Sequence, residues 1–284
     1  MNYAKHALAC GVLWSMAAGQ AATAEPKLEI RKFQLVYGDF GPVRDDASYY
    51  PGERLCCRYD VHGCSENEAG RMELEVTCQL TDANGKVRSA FSNTIKAESW
   101  KNSPGFARVR SFEAFAGDCR PGRYQFELLV EDKLGGQEVR LAQEVTIKPA
   151  ALALVSPRFF YDARRQCPAP LSGLVEQTLY LDVDVIGEDR TQGKAALAYS
   201  LEILDASGSN VLRNVAPQEA QIDDAAFIQD RNRRPVIHWT VPLKQAGRYT
   251  LRLTLVDQMA GNQARLELPL EVLDLSEPGT VAAN

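Results

Sequence analysis

The feature that most constrains this chain is an internal repeat. Gly122-Arg123-Tyr124 recurs as Gly247-Arg248-Tyr249, and Asp132, Gly136, Arg140 and Leu141 match Asp257, Gly261, Arg265 and Leu266 without a gap, all at an offset of 125 residues. Asp82-Ala83-Asn84-Gly85 matches Asp205-Ala206-Ser207-Gly208 at 123, and Val61-His62-Gly63 matches Val185-Ile186-Gly187 at 124. Three registers this close describe one duplicated unit with small changes in its loops. The 284 residues then divide at Pro149 into two ordinary-sized units, residues 25–149 and 150–273, followed by a disordered tail over 274–284.

Within each copy the hydrophobic period is two. Leu55, Cys57, Tyr59 and Val61 alternate with Cys56, Arg58 and Asp60, and Met72, Leu74, Val76, Cys78 and Leu80 alternate with polar residues. The second copy repeats this with Leu179, Leu181, Val183 and Val185, then with Leu197, Tyr199, Leu201 and Ile203. Such strands have one face on a core and one in water, which suits antiparallel sheets. The segments Asp82 to Gly85 and Asp205 to Gly208 have the chemistry of tight turns. The pattern predicts an all-β protein of two tandem antiparallel β-sandwiches with about seven strands each, and one short helix within 223–230.

Pro121-Gly122-Arg123-Tyr124, then alternating Phe126, Leu128 and Val130, then Asp132 and Gly136, resembles the penultimate strand and last hairpin of immunoglobulin-like and fibronectin-III-like modules in secreted bacterial proteins. With Tyr50-Pro51-Gly52-Glu53 opening a strand that closes at Gly63, the chain is similar to exported proteins of planctomycete type. The resemblance implies that Tyr124 and Tyr249 are corner tyrosines, whose hydroxyls bond back to the backbone. It implies a fold and no activity.

The first residues read as an address. Lys5 and His6 precede an apolar stretch from Ala7 to Ala18, and Ala22-Thr23-Ala24 offers small residues for cleavage, so residues 1–24 are expected to be a signal peptide with Glu25 as the mature start. The stretch is shorter than the roughly 20 residues that cross a bilayer, and its surroundings do not suit lipid attachment at Cys10. The expected location is secreted or periplasmic. A net charge of −5 disfavours a nucleic-acid partner.

Export permits disulfides. Cys56 and Cys119 fall near the same end of the first sandwich, which makes them a candidate bridge, whereas Cys57 and Cys78 occupy core positions either as buried thiols or as a link between sheets. Cys56, Cys57, His62 and Cys64 are close in sequence, but the first two point to opposite faces of a strand, so no metal is assigned. No cofactor motif is present, and there is no G-x-S-x-G, P-loop or H-E-x-x-H sequence. His62 and His238 read as lacking catalytic company, and Asp182, Asp184, Asp45 and Asp46 read as solvated acids.

The candidate contact residues are therefore loop aromatics and one basic cluster: Tyr49, Tyr50, Trp100 and Lys101, and Arg231, Arg233 and Arg234 ahead of Trp239, itself expected in the core. The sequence points to a non-enzymatic binding, adhesion or structural module of the cell envelope, with a protein or polysaccharide partner. The alternative is an accessory carbohydrate-binding module or weak hydrolase of secreted polysaccharide processing.

Overall fold

The computed structural model describes residues 26–38, 40–98, 105–114, 119–191, 193–212, 216–230 and 233–274. The first copy contains β1 (Glu29–Val36), β2 (Ser48–Tyr49), β3 (Arg54–His62), β4 (Arg71–Asp82), β5 (Val87–Glu98), β6 (Phe106–Ala114), β7 (Gly122–Asp132) and β8 (Glu138–Ile147). The second contains β9 (Ala153–Phe160), β10 (Pro168–Ala169), β11 (Ser172–Leu174), β12 (Thr178–Ile186), β13 (Ala195–Leu204), β14 (Gln218–Ile222), α1 (Ala225–Gln229), β15 (Val236–Pro242), β16 (Gly247–Asp257) and β17 (Gln263–Leu273).

The sheets repeat with the sequence. A three-stranded sheet, β1-β3-β6, faces a five-stranded one, β2-β8-β7-β4-β5; in the second copy β10-β9-β12-β15 faces β11-β17-β16-β13-β14. The alternation in the sequence is the cause, since it commits every second side chain to the space between the sheets. One core cluster joins Leu55, Cys57, Tyr59 and Val61 to Leu74, Val76, Phe126, Leu128 and Val130. The other joins Leu179, Leu181, Val183 and Trp239 to Leu201, Leu251, Leu253 and Leu255. The antiparallel expectation needs one correction: β2 on β8 and β11 on β17 are parallel, each a two- or three-residue edge addition.

The matched residues hold matching structural positions. Asp132 and Asp257 are buried, and each caps the turn that follows it. Asp132 Oδ1 accepts the amides of Leu134 and Gly135 at 3.0 Å, and Oδ2 accepts that of Ser65 at 2.7 Å. Asp257 accepts Met259 and Ala260 through Oδ1 and Asp189 through Oδ2. Each carboxylate thus ties the last hairpin of one sheet to the chain leaving β3 or β12 in the other. Gly63 and Gly187, with φ of +77° and +75°, pass so near a backbone carbonyl that a Cβ would come within 2.3 and 2.2 Å of its oxygen. The corner tyrosines have the geometry their resemblance implied: Tyr124 donates to Arg120 O at 2.9 Å and Tyr249 to Gln245 O at 3.0 Å.

The disulfide expectation is corrected. Cys56 and Cys119 are thiols. Cys57 and Cys119 belong to the first core cluster, whereas Cys56, one residue along β3, is directed to the other face of the strand. Cys57 and Cys78 are also buried thiols and not a bridge between sheets. Burial raises the Cys57 thiol well above its ordinary range, with Cys78 and Cys56 adding to the effect, so it packs as a small apolar group.

Two outcomes are expected. Burial raises the Asp132 carboxyl, but the amides of Gly135, Ser65 and Leu134 outweigh it, so the folded-state value is lowered. The stability it contributes is therefore full above the unfolded carboxylate range and is lost as pH falls through the folded value. Chemical unfolding of Asp132→Ala at neutral pH should show a loss of about 2–4 kcal/mol, shrinking in acid as the wild type also loses the carboxylate. Tyr124→Phe should lose about 0.5–1.5 kcal/mol, and Tyr249→Phe less, because the Tyr249 hydroxyl bond is exposed to water.

Candidate functional site

A concavity lies at the open side of the second sandwich, between edge strands β14 and β15. Its volume is about 430 Å³, and its lining includes Tyr199, Ile222, Phe227, Arg234, Val236 and His238. It exists because the sheets do not end together. Among the described residues β14 and β15 each pair on one side only, leaving apolar residues of β13 and β14 uncovered by the facing sheet.

A preorganised wall closes one side. Asp224 caps α1 by accepting the amides of Ala226 at 2.8 Å and Phe227 at 3.3 Å. Arg190, from the connection after β12, then holds the segment from outside. Its guanidinium donates to the carbonyls of Phe227 at 3.0 Å, Asp230 at 3.1 Å and Arg233 at 2.7 Å, and lies 4.5 Å from the Phe227 ring centre. Glu188, only 3% exposed, pairs with the same guanidinium. Sequence reading missed Arg190, because nothing local marks a side chain that collects carbonyls some 40 residues away.

His238 stands at the rim. Its Nδ1 is 2.6 Å from Asp182 Oδ1, and the same oxygen accepts from Arg165 Nε at 2.6 Å. The two residues are directly opposed between β12 and β15. The expectation of an unaccompanied histidine and solvated acids is thereby corrected: Asp182 is buried beneath its partners, and Asp184 pairs with Arg158 at 2.7 Å. With the carboxylate accepting at Nδ1, Nε2 is an acceptor when the imidazole is neutral and a donor when it is protonated. Arg234 and His238 Nε2 have no bonding partner among the described residues.

Of the basic cluster, Arg234 lines the cavity, while Arg233 pairs with Asp230 at 3.7 Å and contributes its carbonyl to Arg190. Trp239 is in the core, edge-on to Tyr199 with ring centres 5.5 Å apart. Arg231, Trp100 and Lys101 lie outside the described residues.

The Tyr49-Tyr50 expectation is overturned. Tyr49 is fully buried, and the Arg44 guanidinium lies 4.2 Å from its ring centre and 4.3 Å from that of Tyr37. Arg44 also pairs with the buried Glu53 at 2.6 Å. Tyr50 packs against Ala153, Val155 and Ile186, with the Lys148 ammonium 5.3 Å from its ring. Tyr37 packs against the second core cluster. Tyr37 and Tyr50 thus pack against residues of the second copy, while Tyr49 is part of the first core. Loop aromatics in sequence do not distinguish packing beneath a loop from display upon it.

Replacing Arg190 by Ala strands the Glu188 carboxylate and releases three carbonyls. A loss of about 3–5 kcal/mol is expected in chemical unfolding, together with faster amide exchange across residues 224–230. Adding Glu188→Ala should restore part of the stability without restoring exchange protection.

No protein-family model and no curated protein matches the chain. Among solved structures, the C-terminal domain of the Streptococcus pyogenes antigen I/II-family protein AspA is 12% identical, covering 86% of this chain and 99% of its own at a TM-score of 0.29. The C-terminal domain of the Streptococcus agalactiae AgI/II polypeptide BspA is 9% identical over 86% of this chain and 100% of its own, at 0.28. Red sea bream transglutaminase is 8% identical over 88% of this chain and 31% of its own, at 0.26. Similarity at this level carries no argument about the role of the chain.

Proposed function

We propose that the chain is an exported, non-enzymatic binding module of the cell envelope, built of two sandwich domains meeting near Pro149, whose second copy holds acidic sugar residues of an envelope polysaccharide. Export is supported by the address-like residues 1–24. Among the described residues no helix is long and apolar enough to cross a membrane.

The observation that carries the reading is the chemistry at the mouth of the cavity. Arg234 supplies donors that have no protein partner among the described residues, His238 in its neutral form supplies an acceptor at Nε2, and Tyr199 and Phe227 supply ring surface. A sugar ring packs on aromatic carbon, its hydroxyl donates to imidazole, and its carboxylate matches guanidinium. A purely apolar ligand leaves the polar heads unused.

The His238–Asp182 pair also supports a second reading, a weak hydrolase, because an oriented imidazole is half of a nucleophile–base arrangement. Among the described residues no serine, threonine or cysteine side chain is bonded to Nε2, so the binding reading takes precedence.

The test is capture of the full chain on immobilised acidic and neutral envelope polysaccharides. Acidic polymers should retain it, and Arg234→Ala should weaken retention by about tenfold with little change in the unfolding midpoint, while Phe227→Ala should weaken it as well and, by removing the ring beneath Arg190, lower the midpoint. Undiminished retention of Arg234→Ala, or failure of every acidic polymer to bind, would overturn the assignment. Turnover of a polysaccharide that His238→Ala abolishes would replace it with the hydrolase reading.

A further inference from the structure

The two copies treat the same sheet edge differently. β14, at the edge of the second five-stranded sheet, has five residues, whereas β5 at the equivalent edge has twelve. Short edge strands, prolines and central charges are the usual devices that keep an edge from pairing with another chain. β5 has none of them along its middle: residues 89–95, Ser-Ala-Phe-Ser-Asn-Thr-Ile, carry no charge and no proline. Among the described residues β5 pairs with β4 alone, and Phe91 is 44% exposed.

We propose that β5 is a self-association edge, and that a second copy of this chain pairs with it antiparallel about a two-fold axis at Asn93. A strand pairing with its own copy in this way is isologous, and side-chain faces are kept only when opposed residues have numbers of the same parity. Centring on Asn93 opposes Arg88 to Glu98, Ala90 to Lys96, Ser92 to Thr94 and Phe91 to Ile95, each twice. Opposite charges meet at the ends, and apolar side chains meet on the face shared with the core. A shift of one position toward Ser92 sets Arg88 against Lys96, two like charges. Charge complementarity therefore selects the register, and the product is a ten-stranded sheet formed from two five-stranded ones.

Ala90 is the position for the test, because it is exposed and faces Gln79 within the chain but Lys96 of the second copy across the axis. Analytical ultracentrifugation of the full chain should show a reversible dimer. Ala90→Lys places a second ammonium against Lys96 and should weaken the dimer by about tenfold or more, whereas Ala90→Glu should strengthen it by several-fold. Neither variant should alter the unfolding midpoint of dilute protein. Sedimentation as a monomer at every concentration tested, or a dimer that both variants leave unchanged, would overturn the proposal. If Ala90→Lys fails to fold, the direction of the Ala90→Glu shift decides the matter. Dimerisation does not involve Arg234 or Phe227, so its outcome is independent of polysaccharide capture.

Discussion

Much of this fold depends on a buried carboxylate that accepts three backbone amides. Asp132 in the first copy and Asp257 in the second receive two amides from their own hairpin turn and a third from the facing sheet. A β-hairpin by itself fixes only its own ladder. The third bond fixes where that ladder stands relative to the opposite layer, because a buried anion is stable only while its acceptors are filled. The nearby glycines serve the same junction, since Gly63 and Gly187 let the chain leave β3 and β12 against a backbone where no side chain fits.

These constraints were legible because they are local in sequence or repeated. Alternation gave the faces of β3, β4, β12 and β13; the Asp-x-x-Gly spacing gave the turns, and the repeated Gly-Arg-Tyr gave the corners. The short parallel edge strands were not legible, because two or three residues carry no period. The Cys56–Cys119 bridge failed for a related reason: nearness to one end of a sandwich does not fix which face of the strand a thiol occupies.

The site was legible in part. Arg234 stood out as one of three clustered arginines, Arg231, Arg233 and Arg234, in an acidic chain, and it lines the cavity. His238 and Asp182, 56 residues apart, meet because β12 and β15 are opposed in one register, which no spacing along the chain encodes. Arg190 acts on carbonyls, which have no sequence signature. Tyr49 and Tyr50 were misread because a buried arginine, Arg44, between two rings resembles in sequence an exposed basic and aromatic loop. Stacking a guanidinium between Tyr37 and Tyr49 and pairing it with Glu53 makes that burial tolerable.

The two open edges carry different surfaces. In each copy a five-stranded sheet faces a smaller one, so the last strand overhangs and its inner face is only partly covered. In the second copy the overhang is short and α1, capped by Asp224 and held by Arg190, turns the uncovered residues into a walled cavity. In the first copy the overhanging strand runs for twelve residues and, among the described residues, forms a ladder with β4 alone. A walled cavity suits a small rigid ligand, while a free ladder suits another strand, because backbone amides and carbonyls in a row are matched best by a second row. The difference between the copies thus follows from the length of one edge strand and from what the following connection folds into. The parts they share, the carboxylate caps and the corner tyrosines, lie away from both edges in sequence and leave each edge able to vary without disturbing the frame.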